Sequence, residues 1–311
     1  MTPTTGTPPT TPPRPGGSRS RRDTRGILWF LTLAFLGAWI PWALVGLSGH
    51  SMDDPVIQLA TAAFVPALAA IVVRRWITRE GFTDAGNRLR LRQSWPYYLL
   101  AVMLPMVVLV LAVVLAVATG AATVSVGAGE ILFLLAAPLV IVVAAPIFWG
   151  EEFGWTAYLR DRLVPGRPVA TTFATGVVWG IWHWPLPWVG YFGGGLSPTA
   201  ALVSMVLWIP LSVLLEFLIG WLWMRSGSVW PPAMMHAGSN LVVAMGIGYV
   251  LTQSGVDDTE AGAMTLSTLL MCAAMLPVVL VIIGTHRMRT PRPPVPPVAV
   301  RDSGAPSTLG S

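Results

Sequence analysis

The sequence predicts an all-α fold, a polytopic transmembrane bundle of about eight helices, and three observations predict it. Only 11% of the 311 residues are charged while 54% are apolar, and the mean hydropathy is +0.67. A soluble domain carries about a quarter charged residues, so there are too few here to build a water-facing surface. Eight apolar runs approach or exceed the roughly 20 residues that cross a ~30 Å hydrocarbon core. The cations, finally, fall in the gaps between those runs.

The first run, 26–47, follows Arg21, Arg22 and Arg25 as a signal peptide would. It is longer than a cleavable apolar region and no small-residue cleavage site closes it, so it reads as a retained anchor helix. The others cover 55–73, 95–119, 131–159, 168–190, 198–224, 229–251 and 264–284. All 19 cations are arginine, a bias that, with the Ala, Val, Gly and Pro usage, points to a high-GC bacterial source. Five precede the first run, six lie from Arg74 to Arg92, three are Arg160, Arg162 and Arg167, one is Arg225, and four follow the last run. The alternate loops around Asp53, Val124, Gly194 and Asp257 have none. The positive-inside rule therefore puts every arginine-bearing segment, both termini included, on the cytoplasmic side of a bacterial plasma membrane. Despite a pI of 10.1, cations spread this way report topology and make no nucleic-acid footprint.

Residues 1–25 are rich in Thr, Pro, Gly and Arg, and 285–311 in Pro. Neither can bury a core, so both read as disordered cytoplasmic tails around a transmembrane domain at 26–284. The single cysteine, Cys272, lies inside an apolar run and can form no internal disulfide.

Four places break the apolar pattern. Glu151 and Glu152 would be ordinary interfacial charges if the fourth helix ended at Trp149. Phe153, Trp155, Ala157, Tyr158 and Leu159 instead carry its apolar character on to Arg160. Glu151 then sits nine residues inside the arginine, roughly 13 Å deep at 1.5 Å per residue. Trp179 and His183 are one turn apart on one face, with Pro185 and Pro187 expected to kink the helix just beyond. His236 and Asn240 repeat that spacing about 16 Å from the level of Arg225. Glu216 lies nine residues before Arg225, at about the depth of Glu151. Polar groups in a bundle serve either as glue between helices or as a functional site. Four on different helices predict a wet cavity, expected to open toward the cytoplasm.

At these residues the chain resembles the CPBP family of intramembrane proteases, also called the CAAX protease or Abi family, over roughly residues 55–245. The family pattern is Glu-Glu-x-x-x-Arg, Phe-x-x-x-His and His-x-x-x-Asn. It appears here as Glu151-Glu152-x-x-x-Thr156, Trp179-x-x-x-His183 and His236-x-x-x-Asn240. Trp179 replaces the phenylalanine. Thr156 replaces the arginine that would neutralise Glu152, which must then be reached by Arg160 or remain protonated.

The resemblance implies hydrolysis of a peptide bond in a membrane-associated substrate, within the lipid bilayer. Glu151 with His183 would activate a water, and His236 and Asn240 would donate to the oxyanion. Trp179, Glu216, Arg160 and Thr156 are candidate supports. Glu151, His183 and His236 would also make a zinc ligand set with one open position. They lack the local His-Glu-x-x-His spacing of a recognisable zinc site, so the reading leans metal-free. No serine lies in a nucleophile motif. Two other readings stay open, a catalytically silent bacteriocin-immunity or binding protein and a proton-coupled transporter. The latter would favour internal repeats, which the sequence does not display.

Overall fold

A computed structural model describes residues 21–192, 196–256 and 261–289; most of both tails lies outside these residues. The helices are α1 (Arg21–Leu47), α2 (Pro55–Gln58), α3 (Val65–Val72), α4 (Leu91–Ala118), α5 (Ala128–Gly154), α6 (Asp161–Leu163), α7 (Pro168–Trp182), α8 (Pro198–Ser226), α9 (Trp230–Gly238), α10 (Met245–Gln253) and α11 (Ala261–Gly284), with no strand among the described residues. α1 takes in Arg21 to Arg25, so helix starts ahead of the apolar run. Four π-helical stretches, Leu59–Ala63, Val73–Ile77, Trp155–Arg160 and Ser239–Ala244, prolong or join the rods. They link α2 to α3, α5 to α6 and α9 to α10. Pro66 explains the first: it has no N–H for the Ala62 carbonyl four residues back, and its ring crowds that carbonyl aside.

Seven of the resulting rods are long and apolar enough to cross a membrane. The exception is α7, whose 15 residues extend only about 22 Å. This corrects 168–190 as one continuous span. Pro185 and Pro187 cannot donate the backbone bonds that would prolong α7, and the chain turns at His183 into a 3-10 turn, Leu186–Trp188. It still reaches the far end of the bundle. There the Met52 N–H donates to the Val189 carbonyl at 2.9 Å, and the Ser51 hydroxyl to the Gly190 carbonyl at 2.9 Å.

The opposite, arginine-bearing end is tied by polar contacts of its own. The Ser94 hydroxyl donates to the Ser226 carbonyl at 2.9 Å, Arg162 to Glu80 at 2.9 Å, and Arg74 to Asp84 at 2.8 Å. The Arg162 guanidinium also lies 4.3 Å from the Tyr158 ring centroid, a cation–π contact.

Between the two ends, glycines set how closely the helices approach. A Cβ at Gly150 would overlap the Ala63 carbonyl oxygen, and one at Gly154 would lie 2.6 Å from the Pro66 carbonyl oxygen. α5 therefore rests its backbone directly on the break between α2 and α3 and on the first turn of α3. Gly176, four residues before Gly180, does the same for α7 on α8: its Cβ would lie 2.5 Å from the Val213 Cα. Such small-x-x-x-small pairs are how helices pack closely where lipid removes the hydrophobic drive between them.

Gly150→Ala is expected to lower the midpoint of thermal unfolding in detergent, at an overpacking cost of about 1–3 kcal/mol. Gly248→Ala on α10 is the control. Its added methyl meets nothing within 4 Å, so stability should hold or rise with helix propensity.

Candidate active site

A cavity of about 760 Å³ is lined by α2 and the π stretch after it, α5, α7, α8, α9, the π stretch Ser239–Ala244 and α11. Glu151, Trp179, His183, His236 and Asn240 all line it. The sequence motifs, read at different depths along separate helices, thus meet on one wall. Glu152, Thr156, Arg160 and Glu216 are not on that wall; all four are buried in the layer behind it.

That layer is organised around Glu152, whose two oxygens are both engaged. The Thr156 hydroxyl donates to Oε2 at 2.6 Å, and His236 Nδ1 lies 2.8 Å from Oε1. With Glu152 ionised, His236 is the donor here, from Nδ1, because a carboxylate only accepts. Arg160 does not reach back to Glu152, so of the two alternatives expected there, pairing with Arg160 is not the one the structure shows. Its guanidinium instead meets Asp161 at 2.9 Å, Thr172 at 2.8 Å and Glu216 at 3.7 Å. The space it occupies exists because residue 220 is glycine: a Cβ there would lie 2.7 Å from Arg160 Nε. Thr156 and a histidine from α9 therefore stand where an arginine was expected.

On the cavity wall, Trp179 holds two of the candidate groups at once. Its indole N–H donates to Glu151 Oε2 at 2.9 Å, and its backbone carbonyl accepts from His183 Nδ1 at 2.8 Å. A carbonyl cannot donate, so in the neutral His183 ring Nε2 is the acceptor nitrogen. A phenylalanine at 179 would offer Glu151 no hydrogen bond. The His183 ring is stacked on Trp208, with centroids 4.1 Å apart and planes 7° from parallel, and Trp182 meets it edge-on at 5.0 Å. His236 is framed by Phe148 at 4.8 Å and Trp179 at 5.0 Å. Both rings are thus fixed in orientation by aromatic neighbours.

Trp208 and the Glu152–His236 pair were not singled out from the sequence. Trp208 is one of 15 tryptophans and belongs to no motif. The pair joins residues 84 apart in the chain, which periodicity within one helix cannot relate.

Among the described residues no three His, Cys, Asp or Glu side chains form a group able to hold a metal ion. No step is routed through a metal.

Residues 130–242 match the family described as Type II CAAX prenyl endopeptidase Rce1-like. The matched segment includes every motif residue from Glu151 to Asn240, and it supports the CPBP resemblance drawn from them. No curated protein matches the chain.

Arg160→Ala removes the donors to Asp161 and Thr172 and the guanidinium 3.7 Å from the buried Glu216, with which it makes no hydrogen bond, at an expected cost of about 1–3 kcal/mol. Glu216→Gln in the same chain should restore the share that belongs to the Arg160–Glu216 contact. Thr156→Val and Arg160→Ala act first on different carboxylates, Glu152 and Glu216, and their departure from additivity measures the interaction between those two neighbouring acids. Unfolding in detergent of the single and double variants measures both couplings.

Proposed function

We propose that the chain is an intramembrane endopeptidase of the CAAX type that hydrolyses a peptide bond with a water activated by Glu151. The convergence of Glu151, His183, His236 and Asn240 on one cavity, within the segment matched to the Rce1-like family, carries this reading. At the family level a membrane peptidase is supported directly; the roles below are the proposal.

A water beside Glu151 gives a proton to the carboxylate, and its other hydrogen points to the acceptor nitrogen of His183. The oxygen attacks the scissile carbonyl carbon as the C=O π pair moves onto oxygen. The resulting oxyanion needs donors, and the Asn240 amide supplies one. His236 supplies a second through Nε2–H when both of its ring nitrogens carry protons. The oxyanion pair then re-forms C=O as the C–N bond breaks, the Glu151 proton passes to the leaving nitrogen, and a carboxylic acid and an amine depart, the acid giving its proton to water on release. No acyl-enzyme forms, and the chemistry asks for no metal.

Trp179 has a positioning role, orienting Glu151 through its N–H and His183 through its carbonyl. The substrate is a membrane-associated peptide or protein, reached within the bilayer.

Hydrolysis of a fluorogenic membrane peptide library by detergent-purified protein tests the reading. Glu151→Gln should abolish turnover, and so should His183→Ala, while deletion of residues 1–20 should leave it unchanged. Trp179→Phe should lower kcat roughly tenfold, since a hydrogen bond to a charged group contributes about 1.5–3 kcal/mol. Dialysis against a strong chelator should leave both turnover and elemental composition unaltered. Near-wild-type turnover by Glu151→Gln would defeat the mechanism, and a wild type without hydrolysis would favour the binding or immunity reading.

A further inference from the structure

The cavity is asymmetric along the bundle, and the asymmetry bears on where substrate comes from. On α8, which runs from Pro198 to the arginine-bearing end, the lining residues are Ser204, Trp208, Leu211, Ser212 and Leu215; none lies beyond Leu215. On α11 they stop at Met271. From α9 onward they begin at His236 and continue through the π stretch to Met245. Met52, Asp53 and Val56, from the turn at the arginine-free end, complete the wall. On α11 the lining lies in the arginine-distal half, on α8 and from α9 to Met245 it lies about mid-run, and on α5 it is Ile147, Phe148 and Glu151, short of Arg160.

The arginine side is sealed. Phe153, Trp155, Arg160, Glu216 and Trp223 pack beneath Glu151, each no more than 1% exposed. At the other end lining residues emerge at the surface: Val56 is 73% exposed, Met245 61% and Leu59 44%. The expectation of a cavity open toward the cytoplasm is therefore corrected, because the polar groups that marked its depth from the arginines form its floor.

We propose that this cavity is loaded from the arginine-free, extracytoplasmic face by an apolar peptide segment presented from that side. The inference takes the occupant from the peptidase reading above, but the side of access stands on the cavity walls and the arginine distribution alone. The walls are largely apolar, suited to an apolar chain. The charged side chains described at the mouth, Asp53 and Asp54, are acidic, which suits a neutral or cationic flank on the peptide and disfavours an acidic one.

Cys272 is the single native cysteine, so cysteine accessibility reads the topology in the full-length chain carrying Cys272→Ala. Ser204→Cys and Ser212→Cys place near-isosteric thiols on the cavity wall, and Ser267→Cys covers the wall from α11 should either perturb folding. Arg88→Cys marks the arginine-bearing end. A membrane-impermeant, cationic methanethiosulfonate is applied to intact spheroplasts and, separately, to inside-out vesicles. Loss of free thiol at the cavity positions in spheroplasts, with Arg88→Cys modified only in inside-out vesicles, is the expected result. Cavity positions modified only in inside-out vesicles, or on the same side as Arg88→Cys, would overturn the proposal. The same labelling in a Glu151→Gln chain separates this outcome from the catalytic reading, because access does not depend on turnover.

Discussion

A carboxylate inside an apolar bundle has no water to fall back on, and the arrangement of this protein follows from satisfying one of them. Glu152 is buried and both of its oxygens find donors, one from Thr156 on its own helix and one from His236 on α9. An unpaired charge at that position would cost several kcal/mol. The pair therefore fixes α9 against α5 in rotation as well as in distance. Close approach is a precondition, and the glycines supply it: Gly150 and Gly154 seat α5 on the break before α3 and on its first turn, and Gly238, two residues after His236, seats α9 on Pro105 of α4.

With Glu152 committed, its neighbour Glu151 faces the cavity. Adjacent residues on a helix point about 100° apart, so anchoring one into the bundle turns the other toward the opening. Trp179 then holds Glu151 with a single N–H. The outcome is a division of labour between two adjacent acids, one fastened to the scaffold and one left for chemistry. Arg160 and Glu216 form a separate layer that closes the floor. The buried side chains with charge thus sort by depth into a reactive wall, a fastening pair and a plug.

Much of this was legible in the sequence. Apolar run length and arginine placement give the bundle and its alternation, since they report directly on the thickness and sidedness of a membrane. Glu151, Trp179, His183, His236 and Asn240 stood out because polar groups in apolar runs are costly, and all five line the cavity. Pro185 and Pro187 announced the break after α7, though not that the helix would stop short of a full crossing. Pairings between helices were beyond reach. Arg160 lies on the same helical run as Glu152, yet the π stretch Trp155–Arg160 alters the angular spacing of its residues, and the gap left by Gly220 on α8 accommodates the guanidinium. Neither is encoded in local periodicity. The side on which the cavity opens depends on how seven rods lean together, and the depth of single residues along their helices carries no information about it.

The account stands or falls on Glu152 and His236 acting as one unit behind Glu151. The direct measurement is a double-mutant cycle on turnover of a cleaved membrane peptide, comparing Glu152→Gln, His236→Gln and the double variant, each first checked for folding by its unfolding midpoint in detergent. The account predicts that each single loses on the order of 100-fold or more in kcat and that the double loses little beyond the worse single, as residues working together do. Losses that multiply, or a single variant with unaltered kcat, would contradict it.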